Sequence, residues 1–313
     1  MSRLERERPT VPRAEPRSYY GRPVLKEPVW TWEIPVYFFT GGMAGASAGL
    51  AYLSELRGNR TLARNAWAVA LGGIAVSPAL LISDLGKPSR FLNMLRVFKV
   101  TSPMSVGSWI LNAEGALITA SVAGVAPRLA KPTAAVLGLP VATYTAALIA
   151  NTAVPVWHGA RLTLPFLFGA GAAASAGAAA AAVTPPRYAA PARRLAIGGA
   201  AAEAIASKVR EQRLGELADP YREGTAGKLN RIADGLTVSG GVVLAAAGKR
   251  RPAAVAGSAL LLAGAAAKRW AVFKAGFQSA SDPKFTVGPQ RERIRRGETR
   301  GAERLAVSRS IPA

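Results

Sequence analysis

Carboxylates at the ends of apolar runs are the first residues in this sequence that could do chemistry. Asp84 closes an uncharged run in the stretch LISDLGKPSRF, and Glu33 lies immediately before IPVYFF. A carboxylate held partly buried beside a cation can accept or relay a proton from a membrane-bound substrate. The alternative is structural, because Lys87 or Arg90 could simply hold Asp84 as a helix-end acid. His158, the only histidine, is either a proton acceptor near pH 7 or a neutral interfacial side chain.

Other polar residues lie deeper in the apolar runs. Glu114 and Glu203 are intramembrane carboxylates, which are functional candidates by default and here candidates for a proton path. Either could instead be protonated and hydrogen-bonded between helices. Tyr144 and Asn151 are seven residues apart and therefore share roughly one helical face, where both could hydrogen-bond a buried ligand. The alternative for Tyr144 is packing or an interfacial belt.

Aromatic residues concentrate at one face of the predicted membrane domain. Of the six tryptophans, five belong to this face: Trp30, Trp32, Trp109, Trp157 and Trp270. An interfacial belt explains part of this distribution but predicts no difference between the two faces. A flat aromatic ligand or a docked partner would explain the difference.

Composition excludes several classes of protein. The chain has no cysteine, which excludes thiolate-held zinc and Cys-ligated iron–sulfur clusters within it. One histidine is too few for a bis-histidine haem, so we expect no haem and no metal in this chain. The net charge of +22 suggests nucleic acid at first. However, the basic residues lie in tails and short connectors between uncharged runs, which argues against a nucleic-acid partner and for membrane lipid.

The uncharged runs predict an all-α integral membrane protein with about eight transmembrane helices in two four-helix bundles, since roughly 20 apolar residues cross a bilayer. The second half is weaker, because its runs are short or interrupted. We expect a polar arm over residues 1–30, a membrane domain over 31–272 and a polar basic tail over 273–313. The predicted spans are approximately residues 34–55, 65–84, 103–126, 133–151, 163–184, 193–208, 232–248 and 252–270.

An even number of spans places both termini on one face. Lysines and arginines are equally frequent in the short loops of the two faces, so these loops give no orientation. The two tails carry many basic residues, and positively charged segments next to membrane spans stay in the cytoplasm, so the tails decide the orientation. We therefore expect a multi-pass protein of the cell inner or plasma membrane with both termini in the cytoplasm.

Four stretches together resemble a known family. They are WTWEIPVYFFTGGMAGASAG, SDLGKPSRFLNMLRVFKVTSPMSVGSW, YTAALIANTAVPVWHGARLTLPFLFGA and RWAVFKAGFQSASDPKFTVGPQR. The combination is similar to the NrfD-type family, the membrane subunits of polysulfide reductase and related molybdopterin or multihaem oxidoreductases. The resemblance covers about residues 19–290.

The resemblance implies a haem-free, eight-helix anchor that exchanges electrons between the quinone pool and a docked iron–sulfur subunit. It implies a quinone site in the first four helices, with Tyr144 as the match to the family's quinone-contacting tyrosine. Glu33 and Asp84 match polar positions at the same end. The weak second half, with few ligand-like groups besides Glu203 and Asp234, departs from what a proton path across the membrane would need.

The sequence thus predicts a subunit that reacts with menaquinone or ubiquinone and turns nothing over alone. Its predicted partners are a ferredoxin-like iron–sulfur subunit and a molybdopterin-type catalytic subunit, of the polysulfide reductase or formate dehydrogenase type. Asp84, Glu33 and His158 are the predicted proton-handling residues. The predicted quinone contacts are Tyr144, Asn151, Trp157, Trp109 and Arg90. A small-solute transporter and a purely structural anchor are the alternatives.

Overall fold

The computed structural model describes residues 23–297, and within this range the chain is helical with no strand. The predicted N-terminal arm and C-terminal tail therefore lie largely outside the described residues. Between residues 23 and 297, eight helices have 20 or more residues. They are α1 Glu33–Leu56, α2 Arg60–Asp84, α4 Pro103–Ala123, α5 Pro127–Ala150, α7 Leu164–Val183, α8 Ala190–Leu214, α9 Gly224–Ala247 and α10 Arg251–Ser281.

Shorter helices fill the connections. These are α3 Phe91–Met94, α6 Pro155–Gly159 and α11 Lys284–Arg295, with 3-10 turns at Pro88–Arg90 and Gly215–Tyr221. Except for α11, all of them lie between long helices at the end of the molecule where α2 finishes and α9 begins. We call this end, which also carries the first and last described residues, the terminal face, and the other end the opposite face.

Helix α1 contacts α2 and α5, and α4 contacts both α2 and α5; we call these four helices the first helix group. Helix α7 contacts α8 and α10, and α9 contacts both α8 and α10; we call these four the second helix group. The two groups meet where α7 contacts α1 and α5 and where α10 contacts α1. Three of the described helices are long and apolar enough to cross a membrane, namely α2, α5 and α7.

Small residues bring the helices close together. A Cβ on Gly45 of α1 would lie 2.4 Å from the carbonyl oxygen of Gly138 on α5, and a Cβ on Gly138 would lie 2.2 Å from that of Gly45. Backbone contact at these two positions explains the abundance of glycine and alanine in the sequence, because larger side chains would separate the helices.

Capping determines where α2 begins. The Asn59 side chain accepts a hydrogen bond from the Leu62 N–H (3.2 Å) and donates one to the Tyr188 carbonyl (2.8 Å). The helix therefore begins at Arg60, one turn before the predicted span at residue 65. The predicted span begins at the first uncharged residue after Arg64. It therefore misses the start of the helix, which contains Arg60 and Arg64 and is started by the Asn59 cap.

The last long helix extends well beyond the predicted span that ends at residue 270. It continues to Ser281, and Phe273, Ala275 and Ala280 are buried on it. The segment from residue 273 therefore begins as a packed helix, not as a polar tail. The Trp157 ring of α6 packs directly against the α10 backbone at Gly276, since a Cβ on Gly276 would lie 2.0 Å from this ring.

Candidate functional site

A cavity opens at the terminal face between α1, α2, α4 and α5. Its volume is about 60 Å³, enough for a few water molecules. Its walls are aromatic and aliphatic, with a carboxylate, a phenol and an amide among them. The lining residues are Trp30, Ile34, Tyr37, Phe38, Leu81, Asp84, Leu85, Phe91, Met94, Met104, Ser108, Leu111, Asn112, Tyr144 and Leu148. We call this the terminal-face cavity.

Tyr144 enters the cavity from α5 and is held there by close packing. A Cβ on Gly107 of α4 would lie 2.0 Å from the Tyr144 ring, so the ring lies directly against the α4 backbone. The Tyr144 hydroxyl contacts the hydroxyl of Tyr37 on α1. The two phenols can exchange donor and acceptor roles, which leaves either of them able to donate to a ligand oxygen.

Asp84 lies at the edge of the cavity and is bound to the segment before α1. The Thr31 hydroxyl donates a hydrogen bond to an Asp84 carboxylate oxygen at 2.9 Å, and the Thr31 backbone N–H lies 3.4 Å from the same oxygen. The same hydroxyl also contacts the Glu33 carboxylate. Because a hydroxyl has one hydrogen to donate, Thr31 connects two carboxylates but donates to one of them at a time.

Asn112 adds an amide to the cavity wall. Its side-chain nitrogen donates to the Ser108 carbonyl at 2.8 Å, one turn earlier on α4. This bond uses one of the two amide hydrogens and leaves the amide oxygen as an acceptor. The cavity thus offers both donors and acceptors to a ring that carries oxygen atoms.

The structure brings together some of the residues predicted from the sequence. Asp84 and Tyr144 line the terminal-face cavity, and Glu33 reaches it through Thr31. Trp157 is fully buried, and its indole N–H donates to the Val272 carbonyl at 2.8 Å. Its ring stacks on Trp30 with centroids 5.7 Å apart, so Trp157 supports a cavity wall from behind.

Four other predicted residues lie outside the cavity lining. Asn151 ends α5 and is exposed, and His158 on α6 is exposed with Nδ1 3.3 Å from the Ala150 carbonyl oxygen. Arg90 is exposed in the 3-10 turn before α3. Trp109 is 40% exposed and contacts Phe98 edge to face at 6.2 Å.

Three polar residues at or beside the cavity were not predicted from the sequence, namely Thr31, Tyr37 and Asn112. Tyr37 lies within a long apolar run, where the pattern does not reveal which side of the helix faces the neighbouring helices. Asn112 could have been predicted as a site residue, because a side-chain amide inside a predicted membrane span needs hydrogen-bond partners. Thr31 precedes α1, and only the fold brings it to Asp84.

The two deep glutamates have different surroundings. Glu114 is fully buried on α4, and neither of its carboxylate oxygens has a hydrogen-bond partner among residues 23–297. Glu203 is buried on α8 and pairs with Arg269 of α10 at 3.3 Å. Arg269 also donates to the Phe168 carbonyl (2.8 Å) and lies over the Phe168 ring.

The pair lies next to a second ion pair in the second helix group, in which Lys268 is buried and Asp234 is half exposed. Lys268, next to Arg269, lies 2.6 Å from an Asp234 carboxylate oxygen and 2.8 Å from the Asn230 side-chain oxygen. Phe168 connects these pairs to the first group, since its ring lies 5.7 Å from that of Phe38 in the cavity wall.

Charged residues also order the connections at the terminal face. Lys284 of α11 pairs with Asp219 at 2.8 Å, and this hydrogen bond raises the pKa of Lys284. Tyr221 lies beneath the Arg210 guanidinium at 3.7 Å, and its burial raises the pKa of its phenol. These contacts fasten α11 and the α8–α9 connection to one surface next to the cavity.

The fold and the cavity describe a helical membrane protein with a carboxylate-edged aromatic site at one end. A family model described as polysulfide reductase, NrfD_2, matches residues 17–283 of the sequence. The chain therefore belongs to the NrfD-type polysulfide reductase family, whose proteins are membrane subunits of oxidoreductase complexes. No curated protein matches the chain.

Proposed function

We propose that the chain is the quinone-reactive membrane subunit of a multi-subunit oxidoreductase. It exchanges electrons between the quinone pool and an iron–sulfur subunit docked on the terminal face, and it anchors the complex. A molybdopterin-type catalytic subunit completes the assembly, and this chain carries no haem or metal. The observation that carries the proposal is the terminal-face cavity, whose lining includes Tyr144, Asp84 and several aromatic side chains. The family of the chain supports the same proposal.

The lining suggests how a quinone head group is held. The Tyr144 phenol donates a hydrogen bond to one ring oxygen, while Trp30 and Phe38 pack against the ring. A quinol that loses two electrons also releases two protons. Asp84 accepts one proton and passes it through the Thr31 hydroxyl to Glu33, after which Asp84 accepts the second, so that each carboxylate holds one proton. The electrons pass directly to the nearest cluster of the partner subunit.

A quinone ring needs more room than the cavity has in this conformation. Ligand pockets commonly measure roughly 300–1,000 Å³, against about 60 Å³ here. Met94 and Met104 line the cavity and have flexible, unbranched side chains that adapt readily to a ligand. Binding therefore involves movement of these side chains and opening of the Tyr37–Tyr144 contact.

The membrane arrangement is part of the proposal. All eight long helices span the membrane as two four-helix bundles, because the five less apolar ones pack among the other long helices and the buried Glu203 of α8 is paired with Arg269 of α10. The positive-inside rule places the terminal face and both termini in the cytoplasm, with the chain in the inner or plasma membrane.

Of the two deep glutamates, Glu114 is a stronger candidate for a proton path than Glu203. Arg269 already compensates the charge of Glu203, so a structural role explains its burial. Glu114 has no partner in the described chain and is the stronger candidate. His158, Asn151, Trp109 and Arg90 remain candidates for contacts made when the partner docks, since three are exposed and Trp109 is partly so.

Purification of the assembly from its native membranes tests the proposal. We expect iron–sulfur protein, molybdopterin and about one bound quinone to accompany the chain. A preparation that contains neither iron–sulfur protein nor quinone would contradict it. A transporter would retain a solute instead, and a structural anchor would bring the partners without quinone.

A further inference from the structure

An apolar groove lies far from the terminal-face cavity, between α1, α5, α7 and the start of α8. Its volume is about 800 Å³, within the range of sites for large organic ligands. Leu50, Leu53 and Leu139 supply its walls, and glycines and alanines supply its floor. It extends from the middle of the bundle to the opposite face.

The floor of the groove is fixed by backbone contact. Gly45 and Gly138 touch directly, as described above, so α1 and α5 cannot approach further. Gly49, one turn later on α1, has a different environment, because an added Cβ would meet only the Ala135 carbonyl oxygen at 3.9 Å. Helix packing therefore does not require a glycine at residue 49, and its missing side chain leaves space in the groove.

Two arginines stand where the groove reaches the opposite face. Arg57 follows α1 and Arg194 lies in the second turn of α8, and both line the groove. Both side chains are exposed, and neither guanidinium forms an ion pair or hydrogen bond within residues 23–297. Two other cations at this face do have partners within the described chain: Lys131 pairs with Glu55 at 2.5 Å, and Arg193 donates to the Pro186 carbonyl at 2.9 Å.

The polar groups inside the groove are already engaged. The Ser54 hydroxyl donates to the Leu50 carbonyl at 2.7 Å, and the Thr143 hydroxyl donates to the Leu139 carbonyl at 3.1 Å. The groove thus presents an apolar wall with two guanidinium groups at one end. This pattern fits a molecule with a long apolar chain and an anionic head group, because guanidinium groups bind anionic oxygens strongly.

We propose that this groove binds an anionic phospholipid. An acyl chain lies along Gly49 between α1, α5 and α7, and Arg57 and Arg194 together bind the head-group phosphate. The lipid occupies the gap between the two helix groups and contacts both. This site is independent of the proposed quinone cavity, which lies at the other end of the bundle.

To test the site, the purified complex is first equilibrated with vesicles that contain equal parts of phosphatidylglycerol and phosphatidylcholine with identical acyl chains. Native mass spectrometry then measures which of the two lipids stays bound to the complex. We expect the wild type to retain phosphatidylglycerol with a preference of roughly tenfold or more, because each arginine adds attraction for an anionic head group. The double variant Arg57→Gln/Arg194→Gln should lose this preference. Gly49→Leu should release the phospholipid whatever its head group.

Two matched variants serve as controls. Arg128→Gln removes an exposed arginine at the opposite face outside the groove, and Gly72→Leu adds the same side chain on an open surface of α2. Both should behave like the wild type. Equal retention of the two lipids by the wild type, or an unchanged preference in the double arginine variant, would overturn the proposal. The proposal would also be overturned if Gly49→Leu released a bound quinone, or a second copy of the chain, instead of a phospholipid.

Discussion

The Thr31 hydroxyl lies 2.9 Å from a carboxylate oxygen of Asp84, so the segment before α1 is bound to the end of α2. The sequence offered Lys87 and Arg90 as partners for Asp84, but within the described chain the carboxylate binds Thr31 instead. The bond closes one edge of the terminal-face cavity. It also places Asp84 and Glu33 on the same hydroxyl.

Thr31→Val should lower quinone-linked electron transfer. Valine keeps the shape of threonine and its backbone N–H but removes the hydroxyl, so Asp84 loses its side-chain hydrogen bond to the segment before α1 and its link to Glu33. We expect a loss of roughly three- to tenfold in kcat for quinol oxidation by the purified complex, the size expected for one hydrogen bond. Thr133→Val, at an exposed site on α5 near the opposite face, is the control. Equal rates in both variants would contradict a role for Thr31.

Tyr144→Phe should weaken quinone binding and leave the fold intact. The ring keeps its packing against Gly107, while the hydroxyl that reaches Tyr37 is lost. We expect KM for quinol to rise roughly three- to tenfold, as for the loss of one neutral hydrogen bond. Tyr52→Phe, on α1 outside the cavity, should leave KM unchanged. A structural anchor predicts no change in either variant.

Breaking the Glu203–Arg269 pair should destabilise the second helix group. Both side chains are buried, so Glu203→Leu leaves an uncompensated guanidinium and should cost about 3–5 kcal/mol in the free energy of unfolding. The double variant Glu203→Leu/Arg269→Met removes both charges and should recover most of this loss. Denaturant unfolding of the purified chain measures both values. A double variant no more stable than the single one would show that the two charges do not depend on each other.

Gly276→Ala should disturb the support of the cavity wall. An added Cβ would lie 2.0 Å from the Trp157 ring, which stacks on Trp30. We expect a lower Tm and a raised KM for quinol as the two tryptophans shift. Gly235→Ala on α9, where nothing lies within 4 Å of an added Cβ, is the control. It should be neutral or slightly stabilising, because alanine favours a helix. A Tm for Gly276→Ala equal to that of the control would argue against this tight contact.

The orientation of the chain predicts the result of a pair of reporters. A fluorescent protein fused to the C-terminus should be active in the cytoplasm. A phosphatase that needs the outer compartment should be active after insertion in the loop at residues 184–189 of the opposite face. The reverse pattern would reverse the proposed orientation and move the iron–sulfur partner to the other side of the membrane.

The sequence predicts the first helix group more closely than the second. The apolar run over residues 34–54 lies within the bounds of helix α1, Glu33–Leu56, because charged residues limit the run on both sides. In the second group α8, α9 and α10 all extend beyond the predicted runs. Glu203 of α8 and Arg269 of α10 are buried as a pair, and hydropathy cannot register a partner that is distant in the sequence.

The candidate site was predictable only in part for a similar reason. Asp84 and Tyr144 stand out as polar residues in apolar surroundings, and both line the cavity. Trp157 was grouped with them because it lies at the same face. Its position behind Trp30 depends on Gly276 of α10, over a hundred residues away, and no local pattern encodes that contact.

Labelling with a photoreactive quinone tests the central claim most directly. In membranes that contain the complex, we expect cross-links in the cavity segments around Tyr37, Met94 and Tyr144. Leu148→Trp, which places a larger side chain in the cavity wall, should abolish them, whereas Leu129→Trp, exposed on the same helix at the opposite face, should not. Cross-links that persist in Leu148→Trp, or that map to the groove at the opposite face, would contradict quinone binding between Tyr144 and Asp84.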